Sequence, residues 1–342
     1  MKRCIELATL GQGSTDPNPM VGCVIVHNDT IIGEGWHQRA GEPHAEVNAV
    51  ASVKNKALLK EATAYVSLEP CSHHGKTPPC ADMLIENKLA RVVIASKDPN
   101  PQVAGRGIKR LEAAGIEVIA GILDKEAQHL NRRFFTFHAK KRPYVLLKWA
   151  QSLDGFIAPI TKDVQAPVWI SNTLSRQHTH QWRSEESAIL IGVNTALADN
   201  PSLTTRDWPG KSPVRVVLDP HGKLKPELSL LDGQTKTIVI TSAEAPVTNT
   251  NLILIKVKES NIEIDHLLSL LYEQGLQSVL IEGGADTLNR FISSGLWDEA
   301  RVFTGAVQLG NGLAAPSLDL EPTSIENVQN DLLNTYFNPK QL

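Results

Sequence analysis

Two short stretches hold the residue types that could do chemistry: HAE at His44 to Glu46, and EPCSHHGKTPPC from Glu69 to Cys80. Together they offer an imidazole, a nearby carboxylate and two thiols. Zinc takes about four tetrahedral ligands of nitrogen and sulfur type, and a catalytic site keeps one position open for water. His44, Cys71 and Cys80 make three ligands. Glu46 lies too near His44 in sequence to be an easy fourth, but it is placed to carry protons for an activated water. The set implies hydrolytic deamination of an amino-bearing ring. A closed structural zinc site competes with this reading, because His73 or His74 could supply a fourth ligand.

For those ligands to meet, the surrounding chain must bring three separate points together. Residues 1–10 read as a helix with Cys4, Ile5, Leu7 and Ala8 inward, stopped by Gly11 and Gly13. TDPNPMVG is kept extended by its prolines and leads into a strand, Val21 to Val26, which a turn at His27 to Thr30 pairs with IIGEGWH. From Ala45 to Asn55 the spacing of Val47, Val50, Ala51 and Val53 predicts a helix, so His44 falls at its start. There follow a strand in AYVSL, a helix from Cys80 to Asn87, a strand from Arg91 to Ser96, a helix from Gly105 to Ala114, a strand in IEVIAG and a helix from Asp124 to Lys140. Strands alternating with helices predict an α/β sheet covered on both faces. Cys71 then follows a strand end while His44 and Cys80 open helices, where the dipole favours a thiolate.

KKRP at Lys140 to Pro143 reads as an exposed linker, dividing the chain into domains 1–140 and 141–342. Beyond it the pattern predicts a strand from Tyr144, a helix from Thr173 to Ser184 carrying Arg176 and Arg183, and a strand from Ala188 to Gly192 followed by a polar turn. Apolar strands recur at Val214 to Asp219, Thr237 to Thr241 and Ser278 to Gly284, the last running into a helix at Thr287 to Ser293. A strand ending in Glu-Gly-Gly and opening a helix lets a phosphate approach bare backbone N–H groups. The dinucleotide fingerprint GxGxxG is absent, which argues against a Rossmann domain.

Composition sets further bounds. With 342 residues, 42% hydrophobic and 21% charged, the chain has room for two cores. A net charge of −3 and no basic run argue against a nucleic-acid partner. Cys4 and Cys23 read as apolar packing residues rather than a disulfide framework. No stretch approaches the roughly 18 continuous apolar residues of a membrane span, and the amino terminus has no signal-peptide apolar core, so no membrane partner and a cytoplasmic location are expected.

PNPxVG at Pro17 to Gly22, GEPHAE at Gly41 to Glu46, EPCSHHGKTPPC and DPNPQVAGRG at Asp98 to Gly107 place the first half in a resemblance to the cytidine deaminase-like superfamily. Its usual second motif is PC-x-x-C. Here eight residues separate the thiols, and that longer form resembles the deaminase domain of the bifunctional riboflavin-biosynthesis (RibD) family, up to about Ala139. The resemblance implies that Asn18 binds the pyrimidine, and that His37, His73 and Lys76 surround the substrate and its ribose phosphate. Read without it, these are a turn Asn, a strand-end His and solvated loop residues.

LKWAQSLDG, GVNTALADNPSLTTR and LIEGGADTLNRF resemble the same family's reductase domain, from about Arg142 onward. That resemblance implies a dihydrofolate reductase-like α/β fold and NADPH. It also implies that Ala150, Trp169, Thr195, Asp199 and the helix start Gly284, Ala285, Asp286, Thr287, Leu288, Asn289 and Arg290 hold the cofactor. Lys148, Arg183, Leu203, Arg206 and Glu282 would hold the substrate, the cations taking its phosphate. By residue type alone, Trp169 is a core aromatic, Asp199 caps a turn, and Arg183 pairs with Glu185 or Glu186 at the surface. VQAPVWIS departs from the family's Gly-x-Ser before this loop, and the short end YFNPKQL is expected to trim the last strand. The implied function is zinc-dependent deamination of 2,5-diamino-6-ribosylamino-4(3H)-pyrimidinone 5′-phosphate, followed by NADPH-dependent reduction of the ribosylaminouracil phosphate. The implied partners are these small pyrimidine nucleotides and further copies of the chain, as a dimer or tetramer.

Overall fold

A computed structural model describes residues 1–342 apart from 73–77, 102, 162–163, 244–248, 259–260 and 342. Contacts divide the chain into two compact units, Met1–Lys141 and Arg142–Leu342. Arg142 is no linker residue. Its guanidinium is buried in the second unit on both carboxylate oxygens of Asp298, at 2.6 and 2.7 Å.

The first unit runs α1 (Lys2–Thr9), β1 (Gly22–His27), β2 (Thr30–Trp36), α2 (Ala45–Ser52), β3 (Thr63–Leu68), α3 (Cys80–Glu86), β4 (Arg91–Ser96), α4 (Arg106–Ala113), β5 (Glu117–Ala120), α5 (Asp124–Leu130) and α6 (Arg132–Lys140). Among the described residues its five strands form one sheet in the order β2-β1-β3-β4-β5, antiparallel across β1 and parallel from β3 to β5. Alternation along β1 fills both faces. Cys23 and Ile25 pack with α2, α3 and α4, while Val24 packs with Cys4 and Leu7 of α1, giving three layers.

Two expectations change here. Helix α2 turns Ala45 and Ala49 inward and leaves Ala51 exposed, because it lies hard against β2. A Cβ on Gly35 would come within 2.4 Å of the Ala49 nitrogen, so only small residues fit that seam. The single helix expected over 124–140 is broken at Asn131, whose buried side-chain amide receives from the Met20 N–H and donates to the Met20 carbonyl, both at 2.8 Å.

The second unit comprises β6 (Tyr144–Gln151), β7 (Phe156–Ala158), α7 (Thr173–Glu185), β8 (Ala188–Gly192), α8 (Val193–Asp199), β9 (Val214–Leu218), β10 (Thr237–Thr241), β11 (Leu252–Lys256), α9 (Ile264–Glu273), β12 (Ser278–Ile281), α10 (Ala285–Ser294), β13 (Glu299–Thr304), β14 (Leu313–Ala314), β15 (Ser324–Val328) and β16 (Asp331–Phe337). Its large sheet has the order β11-β10-β9-β8-β12-β6-β13-β16-β15, parallel from β11 to β13 and antiparallel at the last two strands. Parallel strands buried on both faces need continuous apolar runs. Leu190 and Val216 meet α9 and α10 on one face, while Ile189 and Val217 meet Ala196 of α8 on the other.

The expected polar turn after β8 is the helix α8, seven residues long with Val193 and Ala196 buried. Nor is the last strand trimmed: β16 pairs with β13 from Thr304↔Leu332 to Glu299↔Phe337.

Candidate active sites

In the first unit His44 is the N-cap of α2, Cys80 is the first residue of α3, and Cys71 stands just past the end of β3. His44 Nδ1 lies 3.6 Å from Cys71 Sγ and 3.3 Å from Cys80 Sγ, and the three ligand atoms fall within 4.8 Å of one another. Zinc bonds of roughly 2.0 Å to nitrogen and 2.3 Å to sulfur make the N···S edge of a tetrahedron about 3.5 Å. The donor set therefore fits that ion in both chemistry and spacing. The Cys71 thiol is pulled down to about 4, first by the Cys80 thiol and then by His44, against a burial effect that raises it. The His44 imidazole is raised in turn, chiefly by Cys71. Groups that share protons at these separations are ones a divalent cation enters by displacing protons.

Glu46 sits in the first turn of α2, only 3% exposed. Burial, followed by the Cys71 charge, pushes its carboxyl up to about 7. A buried carboxyl titrating there can both accept and return a proton near neutrality.

Asn18 donates from Nδ2 to His37 Nε2 at 3.0 Å, and His37 Nδ1 donates to the Pro43 carbonyl at 3.1 Å. His37 is 2% exposed, has its pKa lowered chiefly by burial, and meets the His44 ring edge-on with centroids 5.4 Å apart. Both its nitrogens are used inside the protein. It thus ties Asn18 to the HAE segment. Asn18 keeps Oδ1 without a hydrogen-bond partner among the described residues. His73 and Lys76 lie outside the described residues.

The second unit contains a cavity of about 1700 Å³ at the carboxyl ends of β6, β8, β9 and β12, where open parallel sheets bind ligands. Single-ligand pockets usually span about 300–1,000 Å³, so there is room for a dinucleotide and a substrate together. One end is polar. Arg183 of α7 holds Glu282, just beyond β12, through two hydrogen bonds of 2.7 Å, and Lys148 of β6 lines the same wall. Burial would raise the Glu282 carboxyl, but the charge and hydrogen bonds of Arg183, with the Lys148 charge, together offset this and hold it low. Burial lowers the Lys148 ammonium, with Glu282 opposing.

Beside them the backbone N–H of Arg206 donates to His180 Nδ1 at 3.1 Å, and its guanidinium reaches Thr204 Oγ1 at 3.1 Å. Burial and then Arg183 and Arg206 drive His180 down to about 4. With the Arg183 charge met by Glu282, the Arg206 guanidinium beside a neutral imidazole favours an anion at this end. Leu203 completes that wall.

The other end is built for close approach. Gly284 caps α10 with no side chain on the helix N–H groups, and a Cβ there would stand 3.0 Å from Thr195 Oγ1. A Cβ on Gly192 would stand 2.8 Å from Thr287 Oγ1. Bare N–H groups at the start of a ten-residue helix suit a pyrophosphate, so the site fits a dinucleotide. Because α8 is a helix, Thr195 and Asp199 fall one turn apart and both line the cavity. Ala150 and the start of α10, from Ala285 to Leu288, line it too.

The second unit matches the family model for the RibD C-terminal domain over residues 143–334, and the first matches the cytidine and deoxycytidylate deaminase zinc-binding region over residues 1–96. The chain is 40% identical to the riboflavin biosynthesis protein RibD of Aquifex aeolicus, over 97% of this chain and 96% of that one. The chain belongs to the RibD family. The Escherichia coli RibD protein is 40% identical over 91% and 88% of the two chains. A solved deaminase/reductase of this family from Thermotoga maritima superposes with a TM-score of 0.89 at 38% identity, covering 99% of this chain and 97% of that one. RibD of Acinetobacter baumannii gives 0.88 at 34%, covering 98% and 97%.

Within this RibD fold, some expected residues take other places. Asn289 is exposed and is not among the cavity's lining residues, although its neighbours Leu288 and Arg290 are. Arg183 is spent on Glu282 rather than on Glu185 or Glu186. Trp169 is no core aromatic: it is 58% exposed at the cavity rim, under the Arg176 guanidinium at 4.8 Å. Glu69 and Asn131 had no assigned role in the sequence, since their partners are backbone groups that no side-chain pattern reveals.

Proposed function

We propose that the two reactions of this RibD-family enzyme are divided between its units, deamination falling to residues 1–140 and reduction to residues 141–342. The chain is a bifunctional deaminase and reductase of riboflavin biosynthesis, using zinc and NADPH. The single observation that carries the division is the close triangle of His44, Cys71 and Cys80 beside a buried Glu46 in one unit, with a cavity large enough for a dinucleotide in the other.

Held by His44, Cys71 and Cys80, zinc supplies the Lewis acidity that makes a water nucleophilic near neutral pH. Glu46 accepts the proton that water gives up and passes one to the departing amine; a C–N bond breaks, a C=O bond replaces it, and ammonia leaves. Asn18, fixed through Nδ2 by His37, accepts from the pyrimidine through Oδ1. His73 and Lys76 are assigned to the substrate on the family resemblance.

In the second unit NADPH supplies the hydride. Thr195, Asp199, Trp169, Ala150 and the α10 start from Gly284 to Arg290 seat the cofactor, and Asn289 is left out of that set. Lys148, Leu203, Arg206 and the Arg183–Glu282 pair position the uracil nucleotide. Carbon C1′ gains the hydride and the released sugar oxygen gains a proton, which yields the ribityl chain.

We further place the protein in the cytoplasm as a homo-oligomer, a dimer or a tetramer. Four unpaired cysteines and the lack of a membrane-length apolar helix among the described residues support the location. The open edge of β15, with Ile325 exposed, supports self-association. The deciding experiment follows ammonia release and NADPH oxidation separately. Glu46→Ala is expected to abolish the first and to leave the second intact when the deaminated intermediate is supplied. Unchanged ammonia release would refute the assignment of the first site.

A further inference from the structure

Glu69 stands two residues before Cys71 and is 4% exposed. Its carboxylate touches no ligand atom. Instead Oε2 accepts the N–H groups of Gly105 at 2.9 Å and Asp98 at 3.3 Å, while Oε1 accepts those of Gly107 at 2.9 Å and Ile108 at 3.2 Å. Three of these donors, Gly105, Gly107 and Ile108, are the N-cap and first turn of α4, where unsatisfied N–H groups and the helix dipole welcome a negative charge. At the same point the backbones press together: a Cβ on Gly107 would stand 2.1 Å from the Pro70 carbonyl oxygen. The residue before Cys71 is therefore locked onto α4.

One turn further along α4, Arg110 donates to the Ser72 carbonyl at 3.2 Å and pairs with Asp82 at 2.5 Å. Ser72 follows Cys71, and Asp82 belongs to the first turn of α3, which begins at Cys80. One arginine thus grips the chain beside each thiol. Between them the Ala81 N–H donates to the Cys71 carbonyl at 3.1 Å and the Cys80 N–H to Cys71 Sγ at 3.3 Å.

We propose that Glu69 and Arg110 are positioning residues for the metal site, with α4 as the rigid member that fixes the spacing of Cys71 and Cys80 before an ion arrives. This rests on those two cysteines being ligands. Groups that orient metal ligands commonly change affinity by about 10–100-fold when lost. Glu69→Gln keeps the shape but turns an NH₂ towards backbone donors, and Arg110→Ala removes both grips at once.

The test is the zinc affinity of the full chain, measured by competition with a chromophoric chelator, together with the visible absorption of the cobalt(II)-loaded protein. Wild type, Glu69→Gln, Arg110→Ala, Arg110→Lys and Cys80→Ser are compared. Far-UV circular dichroism and denaturant unfolding of the first unit report whether each variant has folded, and NADPH oxidation with the deaminated intermediate reports that the second unit is intact. The expected result is a 10–100-fold weaker zinc affinity and shifted cobalt bands in Glu69→Gln and Arg110→Ala, partial recovery in Arg110→Lys, and unchanged NADPH oxidation. Should Glu69→Gln not fold, Arg110→Ala decides alone, since its side chain is 44% exposed. Wild-type affinity and spectrum in the folded variants, with binding lost in Cys80→Ser, would overturn the positioning role. Wild-type affinity in Cys80→Ser would remove the ligand assignment, and the positioning role with it.

Discussion

Arg183 and Glu282 come from α7 and the end of β12 and meet through two hydrogen bonds of 2.7 Å at the polar end of the cavity. Both side chains are mostly buried, so each charge depends on the other. Arg183 also donates to the Thr204 carbonyl at 3.2 Å, which ties the pair to the segment carrying Leu203 and Arg206. The ion pair braces this wall of the cavity, and its two parallel bonds need the forked guanidinium.

Breaking that pair should therefore cost both stability and reduction. Removing one partner of a buried ion pair typically costs about 3–5 kcal/mol. Glu282→Ala is expected to approach that loss in denaturant unfolding of the second unit and to lower the reductase kcat/KM, with ammonia release unchanged. Arg183→Lys should recover little, since a point charge cannot make both bonds. Full activity in Arg183→Lys would show that the bidentate geometry is unimportant.

Chelation separates the two activities. Zinc removal should abolish ammonia release and leave NADPH oxidation of the supplied intermediate untouched, and added zinc should restore the first. Glu46→Gln should lower ammonia release by about 10²–10⁴-fold, the usual worth of a proton-transfer group, while zinc content measured by atomic absorption stays near one per chain. A parallel loss of zinc would make Glu46 a ligand instead.

The parts of this molecule that were legible in the sequence are those whose cause is local. The parallel strands of the second sheet read as apolar runs because both faces are buried, as in Ala188–Gly192. The cluster of His44, Cys71 and Cys80 was legible because each residue sits in a compact motif. Helix α8 was not: with only Val193 and Ala196 buried it shows no stripe, and its polar residues face a ligand cavity instead of solvent. The break at Asn131 and the role of His37 depend on backbone groups distant in sequence, Met20 and Pro43, which no periodicity encodes. The face of α2 was legible in part: Val50 and Val53 join the core, but Ala51 is exposed and the seam on Gly33 and Gly35 is lined by Ala45 and Ala49.

Asn131 gives a second test of long-range positioning. Its amide satisfies both polar groups of Met20, two residues beyond Asn18. Asn131→Ala leaves those half-buried groups unpaired, at up to about 1–3 kcal/mol each where water does not reach them. The loop carrying Asn18 should loosen, so KM for the pyrimidine should rise more than kcat falls, while zinc affinity stays unchanged. A fall in kcat alone would place Asn131's influence on the chemical step and not on binding.

His180 supplies a pH dependence with a definite sign. Folding lowers its pKa from 6.5 to about 4, first through burial and then through Arg183 and Arg206. Below 6.5 the unfolded chain takes up a proton that the folded one refuses, so the unfolded state binds more protons and stability falls as pH falls, through the window from 6.5 down to about 4. Above 6.5 the contribution is constant. His180→Asn keeps a side-chain acceptor for the Arg206 N–H but cannot titrate. Denaturant unfolding of the second unit, followed in steps from pH 7.5 to 4.5, should show a shallower decline for His180→Asn than for the wild type. Parallel curves would mean that His180 stays protonatable in the folded cavity, and that the two arginines beside it are less concentrated in charge than their placement requires.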